Sequence, residues 1–598
     1  MSNLVWKKGF ICVFAGCIFL FYPYPERSSE PLPAQICEIQ GDGFVSPLAG
    51  QIVSTEGVVT MDLDQSWQRG FFLQDAECDT QDDTSDAIFV YLGDNEQVVN
   101  DGDEVHVEGQ VGEYHGLTEI ITTPSQVTLI SPSNPMPEAV DLNPPTDDIA
   151  SSFYFESIEA MLVERDEGIV VGPTDGDDRS WLVNSDLGIN RVFVDDPSGV
   201  GEIICVDDAG YFEITPEVKV TDLVQALFGI LDYRGGEYCL QLLSEPLVIP
   251  STVDRTNLRF QSDSSVLSFS IGSFNLANLF DTIDDVDVED EVLGPTEYQR
   301  RLHKRALAIQ ALGQPNILAV QEVEKSVVLQ ELIDQSEIVV DYAIIHEDGP
   351  DRRGLDVALL YNPDSFELLD YQIRQGCTSL IDGLGPDGNG DVLNPDNSIS
   401  CDSDGDQHLD GNRLFSRPPL VAHLASCEVT CESLEDYEVE LVVIVNHWKS
   451  KYQDSEAIQY TLPRRLDQAD FVVGLVDEAL SAHPGVIVIL IGDFNDYPAS
   501  APMQVLRSRG IYNLMLRVER DQRYTYIYEG KSEVLDYLLI FPQTKLVPLQ
   551  ANILHVNSDF PYMYLGITDS IHRSSDHDPV SSLFQVMTDS VYLPFASR

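Results

Sequence analysis

The sequence predicts a layered α/β domain in the C-terminal half, preceded by two β-rich modules. Three observations predict it. From about residue 267, apolar strands alternate with amphipathic helical segments. Polar and charged residues recur where those strands end. Before residue 250, short β-branched and aromatic runs follow one another between turn residues.

The chain of 598 residues is too long for one hydrophobic core, which implies two to four domains. Its hydrophobic fraction of 43% is ordinary for globular protein and argues against wholesale disorder. Charge is the anomaly. One hundred acidic residues against 34 basic ones give −66, which excludes a generally basic binding protein. Such a surface repels polyanions unless salt or divalent cations screen it, and it suits saline or calcium-rich surroundings. Of the 34 basic residues, 11 precede Ser268 and 23 follow it, so the C-terminal half has more means of holding an anion.

Residues 1–34 read as an export signal or N-terminal anchor. Lys7 and Lys8 precede the apolar run Gly9–Tyr22, and Pro23 and Pro25 end it. The run is shorter than the ~20 residues a membrane span needs. Phe14-Ala15-Gly16-Cys17 has a faint likeness to a lipobox, but the apolar run continues through Ile18–Tyr22, which argues against lipidation. A secreted or cell-surface protein is expected. Without Cys12 and Cys17, eight cysteines remain, and proximity pairs Cys37 with Cys78, Cys205 with Cys239, Cys377 with Cys401, and Cys427 with Cys431. Disulfides are the expected state outside the cytoplasm.

The first β-rich module spans 35–131. Its segments Ser46–Gly50, Gly70–Asp75 and Asp86–Tyr91 resemble the OB-fold-like module that precedes some secreted bacterial nucleases. A Pro-rich joint at Ser131–Pro145 leads to a second β-rich module at 139–250. Asp103 through Gly109 to Gly116 parallels Asp222 through Gly229 to Gly235, which suggests a degenerate repeat. OB-like modules can bind single strands through aromatics and a basic groove. These two carry few Lys or Arg, so a spacer or substrate-presenting role is at least as well supported.

Residues 251–266 read as a linker, 267–587 as the α/β domain and 588–598 as a tail. In the α/β domain, strand Val266–Phe274 ends in Asn275. Helix Thr296–Leu312 opens on a Thr296/Gln299 capping box and stops at Gly313 and Pro315. Strand Ile317–Val320 ends in Gln321-Glu322, and strand Leu441–Val445 precedes Asn446-His447. A helix lies around Leu466–Leu480. Strand Val486–Ile491 runs into Gly492-Asp493-Phe494-Asn495-Asp496, strand Val534–Phe541 carries Asp536, and Ser575-Asp576-His577-Asp578 precedes strand Val580–Phe584.

Six short motifs stand in the order seen in the endonuclease/exonuclease/phosphatase superfamily. They are Ser273-Phe274-Asn275, Val320 to Glu324, Asn446 to Lys449, Gly492 to Asn495, Leu535-Asp536-Tyr537 and Ser575-Asp576-His577. Region 267–587 is similar to the DNase I-like catalytic domain of large secreted bacterial nucleases, a resemblance that implies a four-layer α/β sandwich. Each motif alone is weak, and a pentapeptide such as Gly492–Asp496 equally describes an Asx turn.

Phosphodiester hydrolysis needs an in-line water, a base, charge neutralisation and help for the departing oxygen. His577 is the natural base, with Asp536 to accept its second ring N–H. Outside this set, a surface turn histidine would be the better reading. Glu322 is the expected ligand of Mg2+ or Mn2+, with Asp576 contributing, although rim carboxylates are common in so acidic a chain. Asn275 would hold the metal ligand or a phosphate oxygen. The resemblance implies that Asn495 positions phosphate or water, that Asp493 serves the water or leaving group, and that His447 hydrogen-bonds the phosphate or assists the leaving group.

Arg353, in the Arg352–Ala358 stretch, and Lys449 are the substrate-binding candidates, with Lys451, Arg464 and Arg465 extending a basic lip. A solvated turn and ordinary surface charge explain these nearly as well. Asp387, Asn389 and Asp391, then Asp402, Asp404, Asp406 and Asp410, place oxygen donors at alternate positions, as a structural Ca2+ loop requires. An acidic loop is the alternative, since Arg413 stands where an EF-hand has Glu. Together these features point to a secreted metal-dependent nuclease acting on DNA or RNA. A lipid-head-group phosphodiesterase of the sphingomyelinase kind, or a catalytically dead calcium-stabilised surface-binding protein, are the alternatives.

Overall fold

The computed structural model describes residues 30–586 except 76–77, 79–82, 94–96, 208–215, 254–267, 287, 380–399, 427–438, 453, 455–457 and 543–545. Most of the leader, the Cys427/Cys431 pair, Asp387, Asn389, Asp391, nearly all of the linker and the tail lie outside the described residues.

Each N-terminal module is a closed ring of five strands. In the first, Ile52–Leu63, Gly70–Gln74, Ala87–Tyr91, Leu117–Ile121 and Glu104–Tyr114 pair in that order, and the last closes on the first. In the second, Leu162–Gly172, Ser180–Asn184, Ile204–Asp207, Glu237–Leu242 and Leu223–Arg234 do the same. The third and fourth strands of each ring run parallel. The repeated glycine has a steric cause: a Cβ on Gly109 would lie 2.7 Å from Ile121 O, and one on Gly229 would lie 1.9 Å from Gln241 O. Closing a small ring brings backbones this near.

Period-2 alternation sorts the side chains. Phe71, Leu73, Ile88, Val90, Val105 and Val107 share the first ring's own core. Met61, Phe72 and Phe89 instead join a cluster with Leu162, Leu231 and Leu240 of the second module. The two rings are therefore packed on each other. Disulfides join Cys37 to Cys78, Cys205 to Cys239 and Cys377 to Cys401 as expected.

The C-terminal half holds two six-stranded sheets. One is ordered Ala343–Ile345, Asp356–Tyr361, Ile317–Val323, Ser268–Leu279, Val580–Val586, Leu546–Ile553. The other is ordered Glu367–Ile373, Leu420–Ser426, Val439–His447, Ile487–Asp493, Asp536–Ile540, Tyr512–Asn513. Ile271, Ile317, Ala319, Val357 and Leu359 pack with Leu441, Val443, Ile489 and Leu538 of the second sheet. Leu318, Val320, Ala358 and Leu360 meet Leu302, Ala306 and Ile309 of helix Pro295–Ala311. Helix Leu462–Ala482 adds Val472 and Val476 to the inter-sheet cluster.

Helix Pro295–Ala311 begins differently from the expected capping box. Gly294 is its N-cap with no side-chain bond, and Pro295 occupies the first turn. Proline pre-sets φ there and removes one of the N–H groups that a cap would serve.

The second module is bolted to the C-terminal domain outside its ring. Its strand Val192–Phe193 pairs in parallel with Lys531–Glu533, which pairs with Tyr526–Tyr528. Beside it, buried Arg191 donates to Ser532 Oγ at 2.8 Å, Tyr524 OH at 3.0 Å and Asp559 Oδ1 at 2.7 Å. Its guanidinium lies 3.6 Å from the Tyr524 ring centroid. Arg191 holds the Asp559 carboxyl below the usual range despite its burial. Removing one member of a buried pair strands the other, at a cost of about 3 kcal/mol. Arg191→Met is expected to lower the unfolding free energy of the full chain by that amount, read as a lower urea midpoint at unchanged slope. An unchanged midpoint would show that the junction carries no such energy.

Candidate active site

Strand register brings four of the sequence-predicted residues to one rim. His447 pairs with Asp493 across the parallel strands Val439–His447 and Ile487–Asp493, and Asp493 pairs with Asp536 on the other side. On the facing sheet, Asn275 pairs with Gln321, one residue before Glu322. Gly492 has φ +131°, and a Cβ there would lie 2.0 Å from Asn446 O. Only glycine permits that approach.

Asp536 and His577 form a dyad, with His577 Nδ1 2.7 Å from Asp536 Oδ2. Asp536 N donates to Thr525 Oγ1 at 3.2 Å, and the ring of neighbouring Tyr526 lies 4.8 Å from that of His577. The His577 loop is pinned from behind. Asn557 Nδ2 donates to His577 O at 2.6 Å, and Asp578 Oδ1 accepts from Val556 N, Asn557 N and Ser558 N at 3.1, 2.8 and 3.2 Å. Burial disfavours the imidazolium, but Asp536, Asp576 and Asp493 outweigh it and hold the His577 pKa well above its usual value.

Asp493 is buried and bridges the rest of the set. Its Oδ1 accepts from Asn495 N at 2.8 Å, while Oδ2 accepts from Asn495 Nδ2 and Asn275 Nδ2, each at 3.2 Å. Asn495 Nδ2 also donates to Trp448 O at 3.2 Å, which fixes the amide. His447 Nε2 lies 3.5 Å from Asp493 Oδ2 and 3.7 Å from Glu322 Oε1. Burial, reinforced by Arg417, His577 and Arg353, drives the His447 pKa well below its usual value, so the ring is neutral. Burial pushes the Asp493 carboxyl up to about 7, with Asp536 and Glu322 adding to the rise.

Glu322 and Asn495 hold φ of +59° and +49°, a conformation few non-glycine residues adopt. Glu322 Oε2 accepts from Asn278 N at 2.9 Å, and Asn275 Nδ2 lies 3.4 Å from Glu322 Oε1. Buried Arg305 donates to Leu276 O at 2.7 Å and Ala277 O at 3.1 Å, which holds the bend beyond Asn275. Asp576 is half-buried beside this group, and Ser575 Oγ donates to Asn275 O at 2.7 Å.

The basic residues separate into two kinds. Arg353 is 44% exposed and donates to Asn278 Oδ1 at 3.1 Å, adjacent to Glu322. Lys449 is half-buried, and burial with Arg417, Arg464 and Arg465 nearby pulls its pKa down to about 8. The expected lip of Lys451, Arg464 and Arg465 does not form. Lys451 lies 3.7 Å over the Tyr497 ring, Arg464 donates to Arg413 O, and Arg465 pairs with Asp496 and Asp454 inside the fold. Helix Leu462–Ala482 turns both arginines inward onto loops that need donors.

Arg417 was missed by sequence reasoning. It is buried, 3.2 Å from Asp351 Oδ2, and close enough to lower the pKa of both His447 and Lys449. Its signal was the buried stretch Leu414-Phe415 and Pro418-Pro419 around it. Asp402, Asp404, Asp406 and Asp410 accept from the backbone N–H groups of Gln407, Asp406, His408 and Ser403, beside the Cys377–Cys401 disulfide.

The donor set suits a hard divalent cation. Glu322, Asp493, Asp536 and Asp576 crowd carboxylates around one rim, and Asp536 Oδ1 is buried without a hydrogen-bond partner among the described residues. Oxygen donors of this kind match Mg2+, Mn2+ or Ca2+. In the metal-free protein, an NMR titration is expected to show His577 protonated above the usual histidine range. Asp536→Asn removes the charge that favours the imidazolium, so the midpoint must fall. An unmoved midpoint would disprove the coupling.

A sequence model of the Endonuclease/Exonuclease/phosphatase family matches residues 270–378 and 429–559. No curated protein matches the chain. Among solved structures, an endonuclease/exonuclease/phosphatase from Bacteroides vulgatus is 14% identical with a TM-score of 0.33, over 54% of this chain and 100% of that one. The human Nocturnin catalytic domain with bound sulfate anion is 16% identical with a TM-score of 0.33, over 54% and 95%. D. rerio TDP2 complexed with single-strand DNA product is 16% identical with a TM-score of 0.33, over 54% and 99%. With its six strand-end motifs gathered at one rim and two segments matching the family model, the C-terminal domain belongs to the endonuclease/exonuclease/phosphatase superfamily, whose members are hydrolases acting on phosphoester bonds.

Proposed function

We propose that the protein is an exported metal-dependent nuclease that hydrolyses phosphodiester bonds of extracellular DNA or RNA. In this reading the C-terminal domain is a four-layer sandwich of the DNase I-like type and the two five-stranded rings are OB-like modules. The observation that carries it is the meeting of Asn275, Glu322, His447 and Asp493 beside the His577–Asp536 dyad. Export rests on the leader and on three disulfides.

Asp536 accepts the Nδ1 proton of His577, which leaves Nε2 as the ring atom that takes a proton from the attacking water. The dyad's strong proton affinity makes the neutral imidazole a good base and implies an acid limb in the rate profile. Asp493, with Asn495 and Asn275 donating to it, orients the water or the departing oxygen. Neutral His447 offers a hydrogen bond to a phosphate oxygen. Glu322 and Asp576, with Asn275, would hold a divalent cation, Mg2+ or Mn2+, which neutralises phosphate charge when bound.

Arg353, Arg417 and Lys449 stand close to the rim and supply positive charge for an anionic backbone. They support a nucleic acid over a lipid head group. A structural Ca2+ held by Asp402, Asp404, Asp406 and Asp410 belongs to the same reading; a melting temperature unmoved by EGTA would remove it.

His577→Ala is expected to lower plasmid cleavage by about 10²–10⁴-fold with the fold intact, and EDTA should stop the wild type. Intact plasmid in Mg2+ alongside sphingomyelin turnover would overturn the substrate assignment. Arg417→Ala is expected to weaken plasmid binding, read as a higher KM. An unchanged KM would place Arg417 outside the substrate path.

A further inference from the structure

A second group of metal-ligating side chains lies far from the rim. His423 sits on strand Leu420–Ser426, Glu440 near the start of strand Val439–His447, and His483 at the C-cap of helix Leu462–Ala482. Each offers one ligand atom, and the three atoms lie within 4.8 Å of one another. Seven residues of strand separate Glu440 from His447, about 23 Å at the usual rise. This cluster therefore cannot share an ion with the hydrolytic rim.

The arrangement is poorly explained without a ligand. Register places His423 opposite Val442 and Ala425 opposite Glu440, so His423 and Glu440 are diagonal neighbours on one sheet face. His423 Nε2 is buried and has no hydrogen-bond partner among the described residues. The Glu440 carboxylate lies 3.4 Å from it, an ion-pair distance longer than a usual N–H···O bond. The rings of His423 and His483 lie 4.2 Å apart at 48°, neither flat-stacked nor edge-on. A buried, unpaired ring nitrogen costs stability.

A metal ion resolves each of these features. Bonds of about 2.0–2.2 Å in a tetrahedron set neighbouring donors about 3.4 Å apart, which is the His423–Glu440 separation. Two imidazoles and one carboxylate favour a borderline cation over the hard ions that suit the rim. Asp370 pairs directly with His423 in the adjoining strand and adds negative charge.

We infer that His423, Glu440 and His483 form a separate site for a transition-metal cation of the Zn2+ class, which ties the end of helix Leu462–Ala482 to the sheet beneath it. The site is structural. Binding to the folded state alone stabilises it by mass action, and the hydrolytic rim is left unaltered.

The test uses the full-length protein, stripped of metal and dialysed against Zn2+ with Mg2+ in excess to occupy the rim. Wild type is expected to retain one Zn2+ more per chain than His483→Gln, a change at a half-exposed position that the fold tolerates. Zn2+ should raise the melting temperature of wild type and not of the variant. Glu440→Gln should weaken Zn2+ binding by at least about tenfold, and Co2+ should give tetrahedral absorption bands that both variants lose. Equal Zn2+ retention and equal thermal shifts in wild type and both variants would overturn the site, as would wild-type Zn2+ that Mg2+ displaces completely.

Discussion

Two carboxylates face each other across neighbouring strands at the rim, and the geometry there depends on how their charges are balanced. Asp493 and Asp536 are cross-strand partners, and both are buried. Such a pair cannot carry two full charges without compensation. His577 provides it, bonded to Asp536 and close enough to Asp493 to act on its titration. The Asp536–His577 hydrogen bond is therefore a structural element as well as a chemical one. A divalent cation placed by Glu322 would take over part of the same balance, releasing the imidazole to act as a base.

That balance requires His577 and Asp536 to be held still, and the restraint reaches beyond the C-terminal domain. Consecutive residues do different work: Tyr524 stacks under Arg191 and bonds Asp559, Thr525 anchors Asp536, and Tyr526 lies against His577. Arg191 belongs to the second module, on the segment between two strands of its ring. The module is thus the rear support of the dyad. Few of its basic residues are free to meet a nucleic-acid backbone: Arg165 and Arg179 pair with local carboxylates and Arg191 is spent on the junction. Mechanical support, with the first ring packed behind it through Phe72 and Phe89, suits these modules better than strand binding.

Much of this was legible in the sequence because the constraints are local. Period-2 and period-3.6 patterns located sheets and helices of the C-terminal half, and polar residues after apolar runs marked the strand ends that form the rim. The three disulfides followed from spacing in the chain. What stayed hidden depends on residues distant in sequence. Arg417 gains its place from Asp351 and Arg191 from Asp559, and neither partner is near along the chain. Arg464 and Arg465 looked like surface charge because a helix's inward polar face has no sequence signature distinct from its outward one. Ring closure was only half legible, because short evenly spaced strands fit a barrel and a sandwich equally well.

Charge shows most plainly why position outweighs composition here. A net −66 would seem to bar any polyanion. Yet at physiological salt the field of a surface carboxylate fades over about 8 Å, while groups inside a partly buried rim are screened far less. Arg353, Arg417 and Lys449 then matter out of proportion to their number, because they stand where low dielectric strengthens each interaction. Burial has already shifted Lys449 to about 8, the mark of a cation held short of solvent and of counter-charge. In the proposed function, an incoming phosphate would supply that counter-charge. The acidic exterior keeps the chain soluble and apart from unscreened anions, and the few cations at the rim determine what is held once an anion arrives.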